Sequence, residues 1–324
     1  MPPQNLINRF GVEMGAVTTA EQVLVRPGRV RTRRRVSRHS MAGYAFVAPA
    51  LILLIVFALG PFLFTIWVSV HSWNMLTPLT TMPFQGTGNY SYLLRDDALF
   101  RETFGNTVYF AIGNVVVSVV LALSVALILN GPIRLRAFWR AAFFMPYVTA
   151  PVAIAIVWRN MLDSNWGLVN GLLARAGLPE QPFLDSLSQA MPSLIGVSVW
   201  HEVGYYMIIF LAGLQAIPYD LYEAAKLDGA STWRLFWSIT LPLLRPTLLF
   251  VVVVITLGSL QVFDLPFILT QGGPVNSTNT LVMYMYETAF KFLRMGRATA
   301  MAVMLFGVIF TMTMIQLRLL RERE

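Results

Sequence analysis

The chain has 324 residues, of which 56% are hydrophobic and only 12% are charged, against about 25% charged residues in ordinary soluble domains. This balance indicates a membrane protein, and the absence of cysteine excludes disulfides, thiolate metal sites and thiol nucleophiles. The net charge of +8 comes mostly from arginines at the ends of apolar runs, which favours membrane orientation over nucleic-acid binding.

The first 42 residues carry eight arginines and show little apolar periodicity. They predict a basic tail without fixed structure. Such a tail can bind anionic headgroups, at about 1 kcal/mol per basic residue near the surface, or it can act only as a topology signal. Both interpretations stay open. A cleaved signal peptide fits poorly, because the first apolar run starts late and is long enough to span.

Six apolar runs follow, each near the roughly 20 residues that a membrane-spanning helix needs. They cover residues 43–70, 105–130, 138–160, 192–216, 241–268 and 297–318. We therefore expect an all-α integral membrane protein with about six transmembrane helices in one domain, residues 43–319, followed by a short tail at 320–324. The longest loops have only about thirty residues.

The basic residues predict the orientation of the six spans. The N-terminal tail, the 131–140 turn, the 217–245 segment and the C-terminal end from residue 318 together hold 17 of the 24 lysines and arginines. By the positive-inside rule, both termini and the loop 217–240 are expected on the cytoplasmic side. The other loops, 71–103, 161–191 and 269–296, are then expected to face outward.

The loop between the fourth and fifth predicted spans has the sequence features of two short helices. Pro218 suits a first helical position, and the carboxylates of Asp220 and Glu223 lie where the helix dipole favours negative charge. Gly229 can take the positive φ that ends a helix, and Ser231 can cap the next one. The second helix would carry Trp233, Phe236 and Trp237.

Small side chains at Ala224 and Ala225 lie beside the carboxylate of Glu223 in the first of these helices. Small residues permit close approach, and the carboxylate can pair with an arginine of another protein. The residues alone leave two interpretations open: a docking helix for a partner, or a loop that packs under its own bundle.

The segment from Glu223 to Ala230, with sequence EAAKLDGA, followed by Ile239–Pro242, resembles the "EAA" loop of binding-protein-dependent ATP-binding-cassette (ABC) importer permeases. The resemblance extends from about residue 43 to the end and is strongest to the carbohydrate branch with maltose- and glycerol-3-phosphate-type permeases. Further matching segments are Phe84–Tyr90, Asn106–Phe110, Met145–Tyr147, Leu211–Pro218 and Leu269–Pro274.

The resemblance implies a type I importer permease fold and a function for the loop. In that family the loop forms a coupling helix that sits in a cleft of the nucleotide-binding subunit. Carried over, Glu223 is the polar anchor, Ala224 and Ala225 form the contact face, and Asp228 with Gly229 forms the turn. Ala230 and Pro242 complete the motif.

The resemblance also implies the partners and the location. The partners are a second homologous permease, two copies of an ATPase subunit, an extracytoplasmic solute-binding protein, the lipid bilayer and a carbohydrate-like solute. ATP and magnesium would bind the ATPase, with no cofactor on this chain, in a bacterial or archaeal cytoplasmic membrane. In agreement, neither lysine, Lys226 nor Lys291, follows a glycine, so the phosphate-binding loop motif is absent.

A polar face on the fourth span predicts where the solute passes. Ser198, His201, Glu202 and Tyr205 fall at i, i+3, i+4 and i+7 of a helix and therefore on one side. An ionisable residue within a span costs about 2.5–3.5 kcal/mol on insertion scales, so Glu202 is expected to face a cavity or a partner. The alternative to a role in the solute pathway is that Glu202 forms an ion pair or hydrogen bond with the second permease.

By resemblance to the maltose-type permease, solute contacts come from this face, from the Pro-Tyr region of span three and from the middle of span five. Tyr147 and Tyr205 keep the aromatic type. The other matching positions mostly differ in type, which argues against maltose itself; they are Ser198, His201, Glu202, Ser259, Gln261 and Val262. For Asp264 we expect an interface or helix-end contact.

Two other classes of protein fit the sequence less well. An ion-coupled secondary transporter, the main alternative, predicts inverted repeats and coupling-ion residues at midplane, and beyond Glu202 the spans offer few candidates. A membrane-embedded enzyme predicts paired acids, metal-spaced histidines or an activated nucleophile, and none of these is found in the sequence. We therefore expect a non-catalytic subunit.

Overall fold

The computed structural model describes the backbone of residues 38–321 and the side chains of residues 46–319. This part of the chain is helical and has no β-strand, apart from an isolated bridge between His71 and Phe84. The α-helices are α1 (Arg38–Leu54), α2 (Gly60–Ser69), α3 (Gly88–Arg95), α4 (Ala98–Asn130), α5 (Arg136–Val148), α6 (Pro151–Met161), α7 (Leu168–Arg175), α8 (Ala190–Gln215), α9 (Tyr219–Leu227), α10 (Thr232–Leu235), α11 (Leu241–Leu260), α12 (Asp264–Leu269), α13 (Leu281–Tyr286) and α14 (Met295–Arg321). Short π-helical segments cover Ile55–Leu59, Phe236–Thr240 and Glu287–Lys291, and 3₁₀ turns cover Leu79–Thr81 and Phe183–Asp185.

The chain divides into two units, residues 1–54 and 55–324. In the first unit the described part is α1, which begins at Arg38 and so takes in the last residues of the segment predicted as a tail. The rest of that predicted basic tail lies outside the described residues. In the second unit α14 continues to Arg321, so the predicted C-terminal tail begins as helix.

The prediction of an all-α membrane protein with about six spans is confirmed. Five helical segments are long and apolar enough to cross a bilayer, and a bent pair supplies a sixth. The five are Phe46–Ser69, Ala98–Asn130, Ala190–Gln215, Thr232–Leu269 and Met295–Leu319.

The third span differs from the continuous run predicted over 138–160. Helices α5 and α6 meet at an angle of 95° across a break at Thr149 and Ala150. Ala150 has the extended ψ of 130° that a following proline imposes, and Pro151 then starts α6. The apolar pattern continues through the break, which is why hydropathy did not reveal it.

The second unit contains a core made by α4, α8 and α11. Small buried residues of α4, Ala122 and Ala126, lie in one cluster with Met207 and Phe210 of α8 and Val251 of α11. Helix α5 crosses α8 at Gly204, where an added Cβ would collide with the carbonyl oxygen of Phe143. These close crossings hold α5, α8 and α11 in a fixed arrangement.

Polar side chains fix the segment between the fifth and sixth spans to α4. Asp97 caps α4 by accepting the N–H of Phe100 at 3.0 Å, and it also accepts the hydroxyl of Tyr284 at 2.7 Å. Burial, together with the hydrogen bond to Asp97, raises the pKa of the Tyr284 phenol. The Thr107 hydroxyl accepts the N–H of Leu281 at 2.8 Å. The start of α13 is therefore bound to α4.

Candidate functional site

A cavity of about 210 Å³ lies among α4, α6, α8, α11 and α12. It contains six of the eight residues at positions predicted to contact the solute, and Asp264 also lines it. The lining residues are Phe110, Asn114, Pro151, Ser198, His201, Glu202, Gly258, Ser259, Gln261, Val262, Phe263, Asp264 and Leu265.

Helix α8 contributes three polar side chains to the cavity, Ser198, His201 and Glu202. The His201 ring nitrogen Nε2 lies 3.3 Å from the carbonyl oxygen of Thr149, at the break in the third span. The Glu202 carboxylate accepts the Tyr206 hydroxyl at 3.5 Å. The Ser198 side chain is buried, and its hydroxyl has no hydrogen-bond partner among residues 46–319.

The opposite wall joins α4 to α11 through an amide that the sequence analysis did not identify. The Asn114 side chain is buried and donates from Nδ2 to the Ser259 hydroxyl at 2.9 Å. Its Oδ1 accepts the Ser118 hydroxyl at 3.4 Å. The sequence offers one signal, the i, i+4 spacing of Asn114 and Ser118 in the apolar run of α4. This spacing does not indicate that either residue lies near Ser259.

The two predicted tyrosines are not among the residues that line the cavity. Tyr147 of α5 and Tyr205 of α8 stack in parallel, with ring centroids 4.4 Å apart and an interplanar angle of 9°. The Tyr147 ring also lies 5.9 Å from the ring of His201. The crossing of α5 over α8 at Gly204 explains this arrangement, because it brings the two helices together one residue from Tyr205. The tyrosine pair therefore lies next to His201, a residue that lines the cavity.

The loop between α8 and α11 forms the second candidate site. Helix α9 ends in a Schellman turn, in which Ala230 N–H donates to Ala225 O at 2.9 Å and Gly229 N–H donates to Lys226 O at 3.0 Å. Gly229 has φ +76°, a conformation that favours glycine. Helix α9 follows Pro218, which occupies the N-cap position and not the first helical turn as predicted.

The residues that follow connect the loop to the fifth span. Ser231 caps α10 by accepting the N–H of Arg234 at 3.4 Å, and the chain continues through the π-helical segment into α11. The second predicted helix is therefore a single turn that leads directly into this span. The Tyr222 hydroxyl lies 3.0 Å from the Thr240 hydroxyl, which bonds α9 to the base of α11.

The loop has an uncovered surface that includes the predicted contact residues. Glu223, Ala224, Asp228, Gly229 and Pro242 are exposed, and Ala225 and Ala230 are half-buried. Large apolar side chains are also bare within the described residues: Leu227 is 90% exposed and Trp233 is 71% exposed. Exposed apolar groups of this size are typical of an interaction surface.

A helical membrane domain with a polar cavity, and with an exposed helix joining two of the spans that line it, is the architecture of a transport subunit. Residues 118–323 match the family model described as binding-protein-dependent transport system inner membrane component. The chain belongs to this family and is the permease subunit of an ABC importer, as the sequence predicted.

Curated relatives match nearly the full chain. The chain is 34% identical to the trehalose/maltose transport system permease of Thermococcus litoralis, over 89% of this chain and 96% of that protein. It is also 34% identical to the lactose transport system permease of Rhizobium radiobacter, over 88% and 96%. The same identity holds for the sn-glycerol-3-phosphate transport system permease of Agrobacterium fabrum, over 86% and 94%.

Solved structures share the fold. A chain of a bacterial ABC transporter involved in import of the acidic polysaccharide alginate superposes with a TM-score of 0.77 at 23% identity, covering 88% of this chain and 97% of that chain. A second structure, the alginate transporter in complex with its alginate-bound periplasmic protein, gives 0.74 at 22% identity, covering 86% and 93%. These likenesses support the type I permease fold.

Proposed function

We propose that this chain forms half of a translocation pathway for a sugar or a related polyhydroxylated solute. The cavity bounded by Ser198, His201, Glu202, Ser259 and Gln261 would lie on that pathway. The helix at Glu223 would couple the pathway to a separate ATPase subunit. The chain itself would bind no nucleotide, magnesium or other cofactor.

The observation that carries this proposal is the connection between the two sites. Helix α9 lies in the chain between α8 and α11, and both of these helices line the cavity. At 1.5 Å per residue, the thirteen residues from Glu202 to the end of α8 at Gln215 span roughly 20 Å of helix, and α9 begins four residues later. Because Tyr222 is also bonded to Thr240, a push on α9 acts on both walls of the cavity.

The chemistry of the cavity supports a polyhydroxylated solute. Carboxylate, hydroxyl and amide groups lie beside the rings of His201 and Phe110. Sugar hydroxyls need such acceptors and donors in a water-poor site, because an unpaired polar group there costs about 1–3 kcal/mol. Apolar sugar faces can contact the rings. The relatives named for trehalose/maltose and for lactose agree with this class.

The proposed assembly contains a second homologous permease, two ATPase subunits and an extracytoplasmic solute-binding protein. ATP-bound dimerisation of the ATPases would bring the coupling helices together and open the cavity toward the loaded binding protein, and hydrolysis would reset it. The positive-inside count supports both termini and α9 on the cytoplasmic side. The membrane would be the inner membrane of a bacterium or archaeon.

The test compares Glu223→Ala with Glu180→Ala in the complete transporter in proteoliposomes. Both residues are exposed acids, but Glu180 lies in the loop before α8. We expect Glu223→Ala to lower solute uptake and binding-protein-stimulated ATP hydrolysis at least tenfold, and Glu180→Ala to leave both within twofold. Wild-type uptake by Glu223→Ala, or uptake driven by an ion gradient without ATP, contradicts the proposal.

A further inference from the structure

We infer that the cavity beside Glu202 selects by charge: it admits neutral or positively charged solutes and rejects phosphorylated, sulfonated and uronic-acid sugars. This inference rests on the proposed function and assigns the solute class of the same site. It makes Glu202 the determinant of charge selectivity.

The lining of the cavity carries two acidic side chains, and its one basic side chain is the imidazole of His201. Two carboxylates face it, Glu202 and Asp264, and its lining residues include neither lysine nor arginine. A phosphate-, sulfonate- or carboxylate-binding site needs the reverse composition, because anions are bound by guanidinium, ammonium or clustered N–H donors.

Neither acid forms an ion pair with a lysine, arginine or histidine of the described residues. The ion pair within residues 46–319 joins Lys291 to Glu287, and neither residue lines the cavity. The guanidinium of Arg159 does contact α12, but it donates to the carbonyl of Ile268, in the last turn of the helix that Asp264 begins. The two carboxyl groups of the cavity therefore have no ion-pair partner within the described part of the chain.

The hydroxyl of Ser198 and the carboxylate of Glu202 can both accept hydrogen bonds from a ligand. Ser198 is only 3% exposed, and its hydroxyl has no hydrogen-bond partner among the described residues. The Glu202 carboxylate accepts the Tyr206 hydroxyl at the long distance of 3.5 Å. Hydroxyl or ammonium groups of a solute can donate to both acceptors. An anionic group would place its own acceptor oxygens against Glu202, and the repulsion is large where water is scarce.

This charge pattern separates relatives of similar identity. A cavity of this kind suits the solutes named for the trehalose/maltose and lactose permeases, which carry no charge. It does not suit sn-glycerol-3-phosphate, the anion named for the Agrobacterium fabrum permease.

The absence of cysteine from the sequence allows a direct measurement of the cavity charge. Gln261 is exposed to the cavity, so Gln261→Cys places one thiol there. The assembled complex is treated with cationic and anionic methanethiosulfonate reagents of matched size, and intact-mass spectrometry of this chain gives the rate of each. Val262→Cys serves as a second reporter, and Ser188→Cys, exposed in the loop before α8, is the control.

At each cysteine, the rate of the cationic reagent is divided by the rate of the anionic reagent, and this ratio is the charge preference. We expect the charge preference at Gln261→Cys to be at least tenfold higher than at Ser188→Cys. Adding Glu202→Gln should reduce that preference at least threefold. Equal rates for the two reagents at both cavity reporters, or a preference that Glu202→Gln does not change, overturns the inference. An arginine of the second permease paired with Glu202 would produce that contrary result.

Failure of charge selection can be distinguished from failure of the proposed importer function. Binding-protein-stimulated ATP hydrolysis by the wild-type complex reports on importer function and does not depend on the charge of the cavity. Reagent rates without charge preference alongside stimulated hydrolysis would refute charge selection alone. If the binding protein does not stimulate ATP hydrolysis, the importer role is refuted.

Discussion

The cavity and the α9 loop differ in how much of their surface this chain completes by itself. In the cavity, Asn114 and Ser259 are at most 2% exposed and hydrogen-bonded to each other across two helices. In the loop, Leu227 is 90% exposed, and the Glu223 carboxylate has no hydrogen bond or ion pair within the described residues. The cavity wall is therefore fixed by contacts within this chain, whereas the loop presents an uncovered surface.

The largest expected effect disrupts the internal packing beside the cavity. Gly204→Ala adds a Cβ that collides with the Phe143 carbonyl, so α5 and α8 must move apart. We expect the complex to lose about 2–3 kcal/mol of stability and roughly 5–10 °C of melting temperature. Differential scanning fluorimetry measures the melting temperature. Gly196→Ala on the same helix meets no atom within 4 Å and should melt within about 2 °C of wild type.

The next effect acts on the shape of the loop and leaves the cavity intact. Gly229→Val forces a β-branched residue into φ +76°, which costs roughly 1–3 kcal/mol and distorts the turn after α9. We expect uptake to fall roughly tenfold, while the melting temperature falls by only a few degrees. Gly229→Asn, which tolerates this conformation, should keep more than half of the uptake. Equal loss in both variants would contradict a conformational cause.

A smaller effect tests the connection between the two regions. Tyr222→Phe removes the hydroxyl that bonds to Thr240 and leaves the packing of the ring in place. A lost hydrogen bond of about 0.5–1.5 kcal/mol should reduce the solute transported per ATP hydrolysed by roughly threefold. Tyr219→Phe on the same helix is the control, because its hydroxyl has no partner among the described residues. A ratio that stays at the wild-type value would show that this bond does not couple the two regions.

The smallest effect concerns the flank of the cavity. Tyr205→Ala removes the ring stacked on Tyr147 and should raise the apparent KM for solute uptake roughly threefold, since such stacks contribute about 0.5–1.5 kcal/mol. Tyr205→Phe keeps the stack and should match wild type. A raised KM in the Phe variant would instead assign the effect to the phenol hydroxyl.

The features predicted from the sequence are those with local causes. The positive φ of Gly229 and the Ser231 cap each depend on a few neighbouring residues, so turn and capping rules identified them. The spans followed from hydropathy, although α4 starts at Ala98 and not near 105, because Arg101 and Glu102 hide its first turns.

The features that sequence reasoning missed have tertiary causes. Asn114 and Ser259 are 145 residues apart in the chain, and nothing local indicates that they meet. Pro151 lies at the break in the third span, but no local rule gives the 95° angle between α5 and α6, and α6 packs against α12, which is distant in the chain. The face of α8 was identified by helical periodicity, whereas the departure of Tyr205 from the cavity depends on the crossing at Gly204.

The most direct test of the account is whether an ATPase covers α9 on the cytoplasmic side. Leu227→Cys places a single thiol on the exposed end of α9 in a chain without cysteine, and Ser188→Cys marks the loop before α8. We predict that a membrane-impermeant maleimide labels Leu227→Cys only in inside-out vesicles, and that rebinding of the ATPase blocks this labelling. Labelling from the extracytoplasmic side, or labelling that the ATPase does not reduce, would contradict the account.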